Sequence, residues 1–123
     1  MKRDMELVRK MLLEIEGTRT GSVYDTSTSK LSAWSQDALD EHLLLLHQAG
    51  FVTNYQASGE GGMCTALSWQ GHDFLDTIRS EPVWRETKRR LGEKGITASI
   101  EVIKSLAESV AKQVLDPDAG PGG

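Results

Sequence analysis

A single cysteine, Cys64, excludes an internal disulfide framework and any metal site built from several thiolates. Long apolar runs are also missing. The longest is Leu43–Leu46, far short of the ~20 residues that span a bilayer. The opening Met1-Lys2-Arg3-Asp4 leads into mixed charge with no hydrophobic secretion segment, which predicts a cytoplasmic protein without a membrane anchor. Basic charge is not in excess. Fourteen Lys and Arg face 18 Asp and Glu, for a net charge of −4, and this removes the simplest sign of a nucleic-acid-binding domain. What is present is ordinary for one globular domain: 123 residues, 38% apolar and 26% charged, with no internal repeat.

Apolar periodicity organises the chain. Met5, Val8, Met11, Leu12 and Ile15 share one helical face, with Asp4 placed as N-cap and Gly17 as stop. Periodicity then lapses from Gly17 to Trp34, where eight of 18 residues are Ser or Thr. Such side chains compete for backbone hydrogen bonds and favour turns, so this stretch reads as an irregular loop, functional or mobile, with a short strand at Val23-Tyr24. Ser35 caps a second helix, to Ala49, whose buried stripe is Leu39, Leu43 and Leu46. Phe51–Ala57 and Met63–Trp69 flank the glycine-rich turn 58–62 and predict a β-hairpin. Helices follow over Gly71–Ser80, from Pro82 to Leu91, and over Thr97–Leu115; the tail Asp116–Gly123 has a disordered composition.

Helix, irregular segment, helix, hairpin, further helices is the plan of a winged helix-turn-helix. The predicted fold is therefore mostly α with a small hairpin: a winged-helix-like domain over residues 1–95, a C-terminal helix over 96–115 and a tail over 116–123. The opening ten residues, the phrase His42–Gly50 and above all Leu67-Ser68-Trp69-Gln70-Gly71-His72-Asp73-Phe74-Leu75-Asp76 carry a resemblance. They are similar to a family of small proteins of unknown function from bacteria, phages and prophages, over about residues 1 to 115. The resemblance implies a winged-helix fold and a phage or prophage setting. It supplies no catalytic residues.

The helix before the hairpin would be the recognition helix, yet it presents Gln36, Asp37, Asp40 and Glu41, and the wing adds Glu60. Residues 35 to 70 hold four carboxylates and neither Lys nor Arg. Phosphate neutralisation dominates duplex affinity, so this surface opposes DNA. The reading placed first is a non-catalytic interaction module that binds a host or phage protein through Asp37, Asp40, Glu41 and Glu60. The alternative is a DNA-binding regulator that uses Lys88, Arg89 and Arg90 against phosphates. The plainer account of those three residues is a solvated helix with internal ion pairs.

His42 and His47 are five apart and point to different helix faces, Cys64 and His72 have no second pair, and no cofactor or metal is expected. The glycines at 59, 61 and 62 lie between two strands, where a turn explains them better than a phosphate cradle, and no nucleophile or acid–base pair is enforced by spacing, so no enzyme is expected. The last helix carries Ile96, Ile100, Ile103, Ala107, Val110 and Val114 at alternating spacings of four and three. That seam either packs back on its own domain or, in the reading adopted, pairs two copies as a homodimer through Ile100, Ile103, Ala107, Val110 and Val114.

Overall fold

The computed structural model describes residues 2–58, 61–92 and 98–115. The chain is mostly helical with small antiparallel sheets. In order come α1 (Met5–Glu16), β1 (Tyr24–Asp25), a 3-10 turn (Thr26–Thr28), α2 (Gln36–Gln48), β2 (Val52–Thr53), β3 (Gln56–Ser58), β4 (Gly61–Cys64), β5 (Ala66–Leu67), α3 (Trp69–Ile78), α4 (Glu81–Leu91) and α5 (Ile100–Leu115). Two compact units divide between Asp73 and Phe74, and α4 and α5 both lie in the second. The predicted tail 116–123, together with Ile96, lies outside the described residues.

In the first unit, Asp4 caps α1 as expected, its Oδ1 accepting the N–H groups of Glu6 and Leu7 at 2.9 and 3.3 Å. The buried surface of α1 is wider than a stripe, since Leu7 and Arg9 are buried beside Met5, Val8, Met11, Leu12 and Ile15. Full burial of each large aliphatic side chain contributes ~1.5–3 kcal/mol. Asp4 also reaches across the unit. Its Oδ2 accepts the Trp34 indole N–H at 2.9 Å, and its own N–H donates to His42 Nε2 at 2.9 Å. His42 is 2% exposed, and its Nδ1 lies 2.8 Å from the Ala38 carbonyl. One nitrogen faces a donor and the other an acceptor, so the ring is neutral with its proton on Nδ1.

The Ser/Thr-rich segment departs from the irregular loop expected of it. Glu14 Oε1 accepts the hydroxyls of Tyr24 at 2.6 Å and Ser29 at 2.7 Å, and Oε2 accepts the Lys30 N–H at 2.9 Å. One carboxylate thus pins residues 24–30 to α1. Burial pushes the Glu14 carboxyl up, but the three donors outweigh it and hold the group below its ordinary value.

The predicted hairpin forms with a break. Val52↔Leu67 and Thr53↔Ala66 pair at its base, and Gln56↔Met63, Ala57↔Gly62 and Ser58↔Gly61 pair beyond it. The register is unchanged across the break, so no residue is inserted. The interruption falls at Asn54, whose φ of 54° does not fit a ladder and whose Nδ2 donates to Thr65 Oγ1 at 2.9 Å. β1 adds to the outer side of β4 through Tyr24↔Cys64 and Asp25↔Met63. At the hairpin's exit the Ser68 hydroxyl bonds the Gly50 carbonyl and caps α3 through the Gly71 N–H. Gly71 is required there because a Cβ would collide with the Phe51 carbonyl oxygen.

In the second unit Pro82 sits in the first turn of α4, which buries Val83, Trp84, Thr87 and Leu91. α5 packs on α4, and Arg90 Nη2 donates to Gln113 Oε1 at 2.7 Å. Ile103, Ala107 and Val110 are each 0% exposed. The centre of the seam proposed for a second copy is therefore already buried within one chain, because the α4 face needs the same cover. Ile100 is half-buried and Val114 exposed.

Two outcomes are expected. Ile103→Glu places an unpartnered charge in a closed site and should cost ~3 kcal/mol or more, read as a lower thermal midpoint, where a seam between copies would give a folded protein of halved mass. Glu14→Gln should lower stability at neutral pH by ~1–2 kcal/mol. Since the folded-state pKa of Glu14 is depressed, its contribution is present above the unfolded value of about 4.5 and lost as pH falls through the folded one. The acid limb of a denaturation series should therefore be shallower in the Gln variant.

Candidate interaction surface

α2 begins where the Ser35 hydroxyl accepts the Ala38 N–H at 3.1 Å. Leu39, His42, Leu43 and Leu46 then turn inward, and Gln36, Asp37, Glu41, Leu44, His47 and Gln48 are exposed. Asp37 and Glu41 are one helical turn apart, and Leu44 follows one turn on at 39% exposure. The exposed face of α2 is thus an acidic line ending in an uncovered leucine. His47 stacks on Tyr55 of the hairpin, with ring centroids 4.6 Å apart and planes 17° from parallel. Helix and hairpin are joined there by an aromatic contact that the sequence reading did not identify.

The structure separates the four carboxylates expected to dock a partner. Asp37 and Glu41 are exposed together. Asp40 is half-buried, and its Oδ1 accepts the Thr26 hydroxyl at 2.6 Å and the Gln36 amide at 2.9 Å. Glu60 lies outside the described residues. The Thr26 hydroxyl also accepts the Gly62 N–H at 3.0 Å and the Gln36 amide at 3.1 Å, so its one donor and two acceptor sites are all engaged. Asp40 therefore belongs to a polar knot that joins α2, the 3-10 turn and β4. Gly61 lets the knot close, because a Cβ there would lie 2.7 Å from Thr26 Oγ1.

Two of the basic residues of α4, Arg89 and Arg90, share one carboxylate. Glu86 holds Arg89 through both oxygens, Nε–Oε1 at 2.7 Å and Nη2–Oε2 at 2.6 Å, and takes Arg90 Nε at 2.8 Å. These hydrogen bonds from Arg89 and then Arg90 draw the Glu86 carboxyl down to about 2. The Lys88 ammonium stands 5.6 Å from the Trp84 ring centroid. The spacings of three and four from Glu86 were visible in the sequence; the bidentate geometry was not.

Among the described residues no three His, Cys, Asp or Glu side chains gather as a metal would require. Both His42 nitrogens are engaged in the core, and burial pushes the Cys64 thiol up to about 11, which keeps it protonated. No helix among these residues is long and apolar enough to cross a membrane.

Comparison with known proteins adds a family but no activity. The model of a hypothetical-protein family, DUF2513, matches residues 2–97, which includes α1 to α4 and stops short of α5. A Haemophilus influenzae protein described as "Uncharacterized protein" is 30% identical over 120 residues, covering 94% of this chain and 99% of that one. No solved structure matches the chain. With the family model spanning most of the chain and a relative aligned nearly end to end, the protein belongs to the DUF2513 hypothetical-protein family.

Proposed function

We propose that the protein is a non-catalytic, cytoplasmic interaction module of winged-helix type, acting in a phage or prophage setting and binding a basic protein partner through α2. The winged-helix reading is supported by the order α1, β1, α2, hairpin and by the edge position of β1 beside β4. In such a plan α2 and the hairpin form the presenting surface. The observation that carries the function is the charge of that surface. Asp37 and Glu41 stand exposed with Leu44, and no Lys or Arg occurs between residues 35 and 70. Electrostatic complementarity steers encounter with a partner of opposite sign, and an exposed apolar side chain at the same face supplies an anchor. Asp40 contributes by holding the face rigid and not by direct contact.

A DNA-binding regulator is the second reading, favoured by the same element order. It would rely on Lys88, Arg89 and Arg90, two of which already share Glu86.

Immobilised protein should retain basic partners from a host lysate. A folded variant carrying Asp37→Lys, Glu41→Lys and Leu44→Ala should lose them by about tenfold or more, ~1.4 kcal/mol. Partners held equally by the variant would remove α2 as the docking face. Labelled duplex DNA should migrate unretarded with micromolar protein at low salt. Retardation that weakens steeply with added salt would establish the regulator reading instead.

A further inference from the structure

We propose that a cleft beside β5, on a different part of the first unit from the acidic face of α2, binds an extended polypeptide segment as an added strand. The register of β1 on β4, Tyr24↔Cys64 and Asp25↔Met63, would set Val23 opposite Thr65 and Ser22 opposite Ala66 if it continued. It does not continue. Those four residues instead border a cleft of about 400 Å³, lined on its inner side by the buried Ile15 and Leu67 and bounded by His72 of α3. A volume of this size lies within the roughly 300–1,000 Å³ typical of ligand sites.

The chemistry of this cleft is that of a strand edge. Among the described residues β5 is paired on one side, with β2. The Ser68 N–H donates toward that side, to the Phe51 carbonyl at 2.9 Å, which makes Val52↔Leu67 a pair that exchanges no main-chain hydrogen bond. Main-chain groups alternate sides along a strand, so the N–H and C=O of Leu67 face away from β2, where the cleft lies. Of the exposed apolar side chains, Val23 lines the opening, and Trp69 lies one helical turn before the lining residue His72. Val23 is 52% exposed, and Trp69, which follows β5 and shares a helical face with His72 three residues on, is 81% exposed. Hydroxyls of Thr18, Ser22 and Thr65 complete the rim, and its titratable groups, Glu16 and His72, differ in type and select no single charge. A main-chain edge with flanking apolar anchors and no dominant charge fits a neutral extended peptide: backbone bonds supply affinity, and alternate side chains reach Trp69 and Val23.

A displayed library of random linear peptides, panned against the full chain, tests the site. Selected peptides should shift the emission of Trp69 on binding. Trp69→Ala and, separately, Val23→Lys should each weaken them by about tenfold or more while the thermal midpoint stays unchanged. Methylating the peptide's backbone nitrogens one at a time should abolish binding at every second position, the period of a strand. Asp37→Lys with Glu41→Lys should leave binding intact, which keeps this site independent of the α2 face. Failure to select any peptide, binding that survives both cleft variants, or a methylation scan without that alternation would overturn the proposal.

Discussion

One hydroxyl ties α2 to the small sheet beside it. Thr26 is 1% exposed, donates to Asp40, and accepts from Gln36 and the Gly62 main chain. These partners belong to α2 and β4, and Thr26 itself follows β1, so the side chain fixes three elements that adjoin in space but not in sequence. Two features nearby depend on it. Gly61 must lack a side chain for the approach to close, and Asp40 must face the turn, which removes it from the exposed line of Asp37, Glu41 and Leu44. A satisfied buried polar group of this kind fixes geometry more than it adds net stability, because an unmet partner costs more than a met one gains.

Charge is partitioned along the chain in a way that suits the two units. The first presents carboxylates on α2 that no nearby Lys or Arg of the segment neutralises, whereas α4 gathers cations around its own carboxylate. Glu86 with Arg89 and Arg90 is an intrahelical arrangement of exposed groups, and such pairs contribute little stability and are screened by salt. Their effect is chiefly to shape the field of α4. On α2, by contrast, Asp37 and Glu41 stand exposed in a segment without Lys or Arg, and Asp40 is turned to Thr26 and Gln36.

What could be read from the residues was local. The N-caps Asp4 and Ser35, the proline opening α4 and the pairing of the hairpin strands follow from near-neighbour chemistry, and the structure has each in place. What could not be read were links across long sequence separations. Asp4 was legible as a cap but not as the partner of Trp34 and His42, 30 and 38 residues away. Glu14 looked like one more charge on the outer face of α1, and nothing in its spacing announced three donors from residues 24–30. Periodicity also fails to name a partner: the seam of α5 was visible, but a stripe that packs on α4 has the same spacing as one that packs on a second chain. At the exposed face, Asp37, Asp40 and Glu41 looked equivalent because the helical period says nothing about a threonine 14 residues earlier.

The position of Cys64 ties a chemical property to the order in which the hairpin comes apart. Its main chain pairs with Tyr24 across 40 residues of sequence, and its thiol is 1% exposed and pushed up to about 11 by burial. A thiol reagent reaches so buried a sulfur only when the structure around it opens, so the rate of modification reports on local opening together with the reactivity of the exposed thiol. With one cysteine in the chain, the signal has a single origin. The protein therefore carries its own probe of local opening at the end of β4, readable without adding any label to the fold.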